Sequence, residues 1–367
     1  MTNLLTRATG RVVLAVATIS LTQTTSFAET LVKHIGSARD VLVHVYKGTP
    51  PDLCVCDQAL RQLTNDEWAI FFMTGGDHEP RKDNYIAVCR SADRGKTWTR
   101  PQPVLRFPDK ACLLTEVIVH HEQVHLFGVS HGGRFEDWRN FTITSTDKGR
   151  TWGDPVPFAP MVRRTFVRNL YISTWGEWFL PYQTYDTVPE PAASPLNDGS
   201  HNKALNGVLF SSDEGRTWIR SADCGPTPGW AENNVVELRD GRLVMLIRAD
   251  GKGCLLRSES NDRGRTWSPP QRTDVGNPGS KFRLYRLGTG RIVLVHNTNP
   301  TPGVRNPLAL WASDDDMQTW PHRRVLVDFP GQLQYPDGFV DEDAGYVHFA
   351  FDYNRHDLIY VGATLPD

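Results

Sequence analysis

Apolar residues in this chain come in short runs broken by turn-forming residues, and few stretches repeat them at the 3.6-residue period of a helix. In VVELRDGRLVMLIR, Val235 to Arg248, two apolar runs flank Asp240-Gly241, which predicts strand, tight turn, strand. The same frame recurs as VIVHHEQVHLFGVSH ending at His131, LYISTWGEWFLPY ending at Tyr182 and LYRLGTGRIVLVH ending at His296. ALRQLTNDEWAIFFMT ending at Thr74 and GFVDEDAGYVHFAFD ending at Asp352 complete a set of six units.

A second repeat follows the first. SADRGKTW (Ser91 to Trp98), STDKGRTW (Ser145 to Trp152), SSDEGRTW (Ser211 to Trp218) and SNDRGRTW (Ser260 to Trp267) are near-identical, and SDDDMQTW (Ser313 to Trp320) is a degenerate fifth copy. Such a string suits a hairpin in which Asp accepts backbone N–H bonds, Gly supplies a positive φ and Trp covers the departing strand. The Asp positions are 54, 66, 49 and 53 residues apart, the length of a four-stranded antiparallel blade with its loops. The expected fold is all-β, a six-bladed β-propeller with these Asp-box hairpins. The last unit has no box of its own, so the N-terminal segment Leu31 to Lys47 is expected to supply its outer strand and close the ring. A large insertion, Thr184 to Ala204, is rich in Pro, Ser and Asn.

Length alone, at 367 residues, suggests two or three domains, and the repeat reduces that to one. Arg7 and Arg11 precede an apolar run from Val12 to Leu21, and Ser26-Phe27-Ala28 offers small residues for cleavage. Residues 1–28 therefore read as a signal peptide and 29–367 as a single propeller domain, secreted or periplasmic. The run is too short to span a bilayer comfortably, and no later segment replaces it. A formal charge of −2, more negative without the leader, argues against a nucleic-acid partner. The six cysteines are expected to be buried or paired in distant disulfides rather than to bind metal, because Cys54-x-Cys56 has no second pair.

The ends of the second strands offer candidate chemistry. Thr74, His131, Tyr182, Arg248, His296 and Asp352 occupy equivalent places, and if those ends face a central pocket the six groups converge. One motif points elsewhere: His121-Glu122-x-x-His125, continuing to Gly128 and His131, matches a zinc-protease string. That chemistry needs a helix, whereas the repeat frame puts His121 and Glu122 in a hairpin turn, so the protease reading is set aside.

Assembled, these repeats resemble the sialidase (neuraminidase) superfamily, and within it the bacterial predicted neuraminidases. The resemblance implies an exported exo-glycosidase that hydrolyses a terminal acidic sugar, sialic acid or a relative, from a glycan. It implies Tyr335 in QYPDGF as nucleophile, Glu232 as the carboxylate that takes its proton, and Arg248 and Arg305 as clamps on the substrate carboxylate. Asp77 and Asp83, in TGGDHEPRKDNY, are both candidates for the general acid. His131, Tyr182, His296 and Asp352 join the arginines as expected substrate contacts. The mechanism calls for no cofactor and no metal. One departure stands out. The family's first arginine is expected where Cys54 to Asp57 stand, leaving Arg61, Arg81 or Arg168 to replace it. Two other readings follow from the same residues: a polysaccharide lyase using His131, Tyr182 and His296 with Arg248, or a propeller that binds carbohydrate without turnover.

Overall fold

The computed structural model describes residues 37–135, 137–161, 164–185 and 203–366. The expected leader and most of the insertion, residues 186–202, lie outside the described residues. Every regular element described is a strand, and the sheets are six antiparallel blades. Blade 1 runs through Val55–Gln62, Trp68–Thr74, Tyr85–Ser91 and Gln102–Leu105, and blade 2 through Ala111–His120, Gln123–His131, Arg139–Ser145 and Val156–Pro157. Blade 3 is the irregular one: its inner strand is split into Thr165–Val167 and Tyr171–Ile172, and its outer strand into Ile219–Arg220 and Pro226–Pro228. Blades 4 and 5 begin at Asn233–Glu237 and Arg283–Arg286.

Blade 6 takes three strands from the C-terminal end, Leu333–Asp341, Tyr346–Tyr353 and Asp357–Thr364, and its fourth from the N-terminal side. Val41–Lys47 pairs antiparallel with Asp357–Thr364, from Val41 opposite Gly362 to Lys47 opposite Asp357. The expected ring closure therefore holds, and it occupies what would otherwise be an open edge.

The Asp boxes show why their residues recur. In the first, Ser91 Oγ donates to Asp93 Oδ1 (2.8 Å) and accepts from Gly95 N (2.7 Å), while Asp93 Oδ1 accepts from Thr97 N (2.9 Å). Arg94 and Gly95 both take left-handed φ, 57° and 84°, and a Cβ on Gly95 would sit 2.8 Å from the Tyr360 ring. The degenerate fifth box keeps the same bonds with Met317 at φ 64°. Boxes dock on the preceding blade: Trp152 of box 2 meets Phe71 edge-on at 5.9 Å, and Arg150 bonds Glu67 at 2.9 and 3.0 Å. Apolar clusters fill the spaces between blades, such as Phe71, Val88, Leu114, Leu126 and Phe141 between blades 1 and 2. All six cysteines are buried and free, so of the two expectations burial is the one observed.

Where inner strands meet, a buried polar network ties the blades. Arg61 of blade 1 pairs with both Glu116 of blade 2 and Asp337 of blade 6, and its Nε donates to Val117 O at 2.6 Å. Asn169 Nδ2 donates to Asn233 O (3.0 Å) and its Oδ1 accepts from Arg283 (2.5 Å). The two carboxylates offset the cost of burying the Arg61 guanidinium, whose pKa is pushed up against the pull of desolvation.

Candidate active site

A cavity of about 650 Å³ opens among the inner strands and the loops that join blades. Tyr335, only 8% exposed, is among the residues that line it. Tyr335 sits at a bulge, where the pairing of Leu333–Asp341 slips between Gln334 and Asp337, and its own φ is +62°. A left-handed tyrosine inside a strand is strained, and its carbonyl is pinned by Gln58 Nε2.

Cations crowd this ring. The guanidinium carbons of Arg305, Arg355 and Arg248 lie 4.9, 5.5 and 5.9 Å from its centroid, and Lys281 Nζ lies at 4.4 Å. Arg305 Nη1 donates to Tyr335 Oη at 3.1 Å, its Nη2 donates to Gly279 O at 2.9 Å, and it also bonds Gln334 Oε1. Arg248 is held by Glu232 (2.9 Å) and Asp250 (2.8 Å), and Arg355 by Glu79 (2.9 Å). Nε of both Arg305 and Arg355 is buried with no hydrogen-bond partner, so guanidinium donors remain unspent beside the cavity.

In the stretch Cys54 to Asp57, where a first arginine is expected, Asp57 is buried at φ +52°. It draws in Arg168 from blade 3 (3.4 Å) and Lys281 from the start of blade 5. Thus a carboxylate of that stretch lines the cavity, and a third guanidinium near the Tyr335 ring comes from Arg355, on the turn after Tyr353. Of the three proposed replacements, Arg168 reaches the cavity, Arg61 is spent in the polar network, and Arg81 pairs with Asp77 and Asp83 on an exposed loop. Arg168, Arg248, Lys281, Arg305 and Arg355 line the cavity together with Asp57, Glu79, Glu232 and Asp250.

Tyr335, Glu232, Arg248 and Arg305 are brought together as expected. Asp77 and Asp83 are not: their side chains are 59% and 57% exposed, and neither lines the cavity. Glu79, from the same loop, does line it, and it accepts a contact from Cys56 Sγ at 3.4 Å. The six strand-end residues do not converge either. Arg248 falls one residue beyond its strand, Leu243–Ile247, whereas Tyr182, His296 and Asp352 lie inside theirs, and strand alternation turns side chains to opposite faces. Tyr182 reaches outward to Asp223, with Arg220 Nε at 3.0 Å. His131 Nδ1 accepts from Gly133 N (3.0 Å) and its ring packs on Phe135. His296 is fully buried edge-on to Trp311, and burial brings its pKa down to about 3. Asp352 is buried behind Arg355, whose backbone N–H it accepts at 3.1 Å; burial raises its pKa to about 7. With His131, Tyr182 and His296 away from the cavity, the lyase reading loses its residues.

Lys281, Arg355 and Glu79 are contributions that sequence reasoning missed. Burial brings Lys281 down to about 7, against the pull of Cys56, Asp352 and Asp337, so its ammonium and amine forms lie close in energy near neutrality. Aromatic rings of Phe135, Phe166 and Trp230 form one wall, with Trp230 N held by Asp250 Oδ2 at 2.9 Å.

Residues 67–349 match the BNR repeat-like domain family. The chain belongs to that family. It is 25% identical over 331 residues to a sialidase of Clostridium perfringens, covering 82% of this chain and 84% of the relative. It is 32% identical over 239 residues to a sialidase of Paraclostridium sordellii, covering 61% of this chain and 56% of that protein. In fold it matches the Hadza microbial sialidase Hz136 with a TM-score of 0.70 at 18% identity, over 86% of this chain and 66% of that one.

Proposed function

We propose that this BNR repeat-like chain is a glycosidase of the sialidase type, which hydrolyses a terminal acidic sugar from a glycan through a tyrosyl intermediate. The observation that carries this reading is the set of three guanidinium groups within 6 Å of the Tyr335 ring, one of them bonded to its hydroxyl. Arg248, Arg305 and Arg355 bind the sugar carboxylate with charge-assisted bonds, which fixes the anomeric carbon over Tyr335. A phenol is a poor nucleophile until it loses its proton, and Glu232, shared with Arg248, takes that proton.

Tyr335 Oη then bonds to the anomeric carbon while the bond to the aglycone oxygen breaks and Glu79, which enters the cycle in its carboxylic acid form, gives its proton to that oxygen. Water attacks the tyrosyl glycoside next, giving its proton to Glu79, and the phenol recovers its proton from Glu232. A neutral nucleophile suits a carbon that already bears a carboxylate, because a carboxylate nucleophile would be repelled. The leader expected at residues 1–28 places the enzyme outside the cytoplasm, and N-terminal sequencing of exported protein starting near Glu29 tests that.

Steady-state assays on an aryl sialoside and an aryl uronide test the reaction. Hydrolysis by the wild type, with a loss of at least ~10³-fold in kcat for Tyr335→Phe, supports it. Undiminished turnover by Tyr335→Phe removes the tyrosine from the reaction. Binding of both sugars without turnover by the wild type identifies a carbohydrate-binding propeller instead.

A further inference from the structure

The surface joint between blades 2 and 3 holds side chains that the proposed reaction does not use. His120 ends the strand Ala111–His120, and His121 and Glu122 form the turn at φ +46° and +65°. In extended backbone His121 would point opposite to His120. The left-handed turn brings both imidazoles to one side instead, with ring centroids 3.8 Å apart. Glu214, on the third Asp box, faces both: its Oε2 lies 3.4 Å from His120 Nε2 and 3.4 Å from His121 Nε2.

Two of the three groups sit on fixed supports. His120 meets Trp178 edge-on at 4.7 Å, and the Glu214 turn is held by Asp213 bonds to Thr217 N and Oγ1 at 2.8 and 2.6 Å. The corresponding joints use a different chemistry. Arg150 clasps Glu67 between blades 1 and 2, and Arg265 clasps Glu177 between blades 3 and 4 at 2.6 and 2.8 Å. At the box position of Glu214, the other three glycine-containing boxes carry Arg94, Lys148 and Arg263. Here alone in that set a carboxylate meets two imidazoles, which pair with it more weakly than a guanidinium when neutral.

Two imidazole nitrogens and a carboxylate oxygen are a donor set for a borderline transition cation. Bonds of 2.0–2.2 Å at tetrahedral angles put ligand atoms about 3.3–3.5 Å apart. Two of the three edges already have that length, and all three ligand atoms lie within 4.8 Å of one another. His121 and Glu214 are 73% and 49% exposed, leaving room for water at the remaining position. The other cluster of this kind among the described residues, Cys56, Asp57 and Glu79, is already engaged by Lys281, Arg168 and Arg355 and would repel a cation.

We propose that His120, His121 and Glu214 form a surface site for a divalent first-row transition cation, Zn²⁺ above all, that clips the blade 2 hairpin to the Asp box of blade 3. The zinc-protease string supplies only His121 to this site; Glu122 and His125 take no part, since His125 Nδ1 lies 3.0 Å from Thr144 Oγ1 within its own sheet.

Calorimetric titration of the metal-stripped full chain with zinc chloride at neutral pH tests the site. The expected result is about one Zn²⁺ per chain, bound at least ~10-fold more weakly by His121→Asn and by Glu214→Gln, and unaltered in Glu122→Gln. Zinc also raises the melting temperature of the wild type and of Glu122→Gln more than that of the other two variants. No uptake by the wild type at millimolar zinc, equal binding by all four proteins, half an ion per chain, or a loss confined to Glu122→Gln would each overturn it. Unchanged circular dichroism and unchanged glycosidase activity show that a variant has folded, and a variant that loses either has simply failed to fold.

Discussion

Arg355 carries the most weight among single residues, because it fills a role its sequence position does not announce. Its guanidinium lies 5.5 Å from the Tyr335 ring and is oriented by Glu79 and by the turn at Asp352. Replacing it with Gln removes one charge-assisted clamp, worth about 1.5–3 kcal/mol. The expected outcome is a ~10–100-fold fall in kcat/KM that appears mainly as a higher KM, measured by steady-state kinetics on an acidic glycoside. His296 makes the converse point. Its folded pKa of about 3 lies below the ordinary 6.5, so the unfolded chain binds an extra proton between those values. The stability it contributes is complete above pH 6.5 and is lost as pH falls toward 3. Asp352, raised to about 7, acts with the opposite sign, losing stability as pH rises from 3.8 through 7. In His296→Leu, the drop of melting temperature on acidification below pH 6.5 is therefore expected to be shallower than in the wild type.

Strands and hairpins show how much of the molecule was legible and where legibility stopped. The boxes announced their own geometry, since Ser, Asp and Thr make the bonds of the turn and Trp packs on the neighbouring blade. Asp262 accepts from Arg265 N (3.0 Å) and Thr266 N (2.9 Å), so Asp262→Ala should cost about 1–3 kcal/mol in a denaturant melt with activity retained. Met317 sets two effects against each other. Left-handed backbone costs a non-glycine residue about 1–2 kcal/mol, but this side chain is 8% exposed, in a cluster with Trp320 and Leu294, and deleting such a group costs about 2–5 kcal/mol. Met317→Gly should therefore destabilise, although every other box has Gly there. The strand-end superposition misled because a one-residue offset, Arg248 outside its strand and His296 inside, reverses which face a side chain meets. Arg355 and Lys281 were hidden for another reason: each stands outside the strands and belongs to no repeat.

Across the whole molecule, the ring brings to one cavity residues from every part of the chain. Asp57 and Glu79 come from blade 1, Arg168 from blade 3, Glu232 and Arg248 from blade 4, Lys281 and Arg305 from blade 5, and Tyr335 and Arg355 from blade 6. The site therefore exists only when the ring is closed, and closure depends on Val41–Lys47. Removing residues through 47 leaves Asp357–Thr364 as a bare edge; the expected result is a lower melting temperature and association between copies, read by light scattering. The central chemical claim, a covalent bond to Tyr335, is tested most directly with a 2,3-difluorinated acidic sugar, whose fluorines slow release of the enzyme-bound glycosyl group. Intact-mass and peptide-mapping mass spectrometry should then find one adduct per chain, on Tyr335, absent from Tyr335→Phe. An adduct on Glu232 or Glu79, or turnover of a natural glycoside that yields an unsaturated sugar, would contradict it.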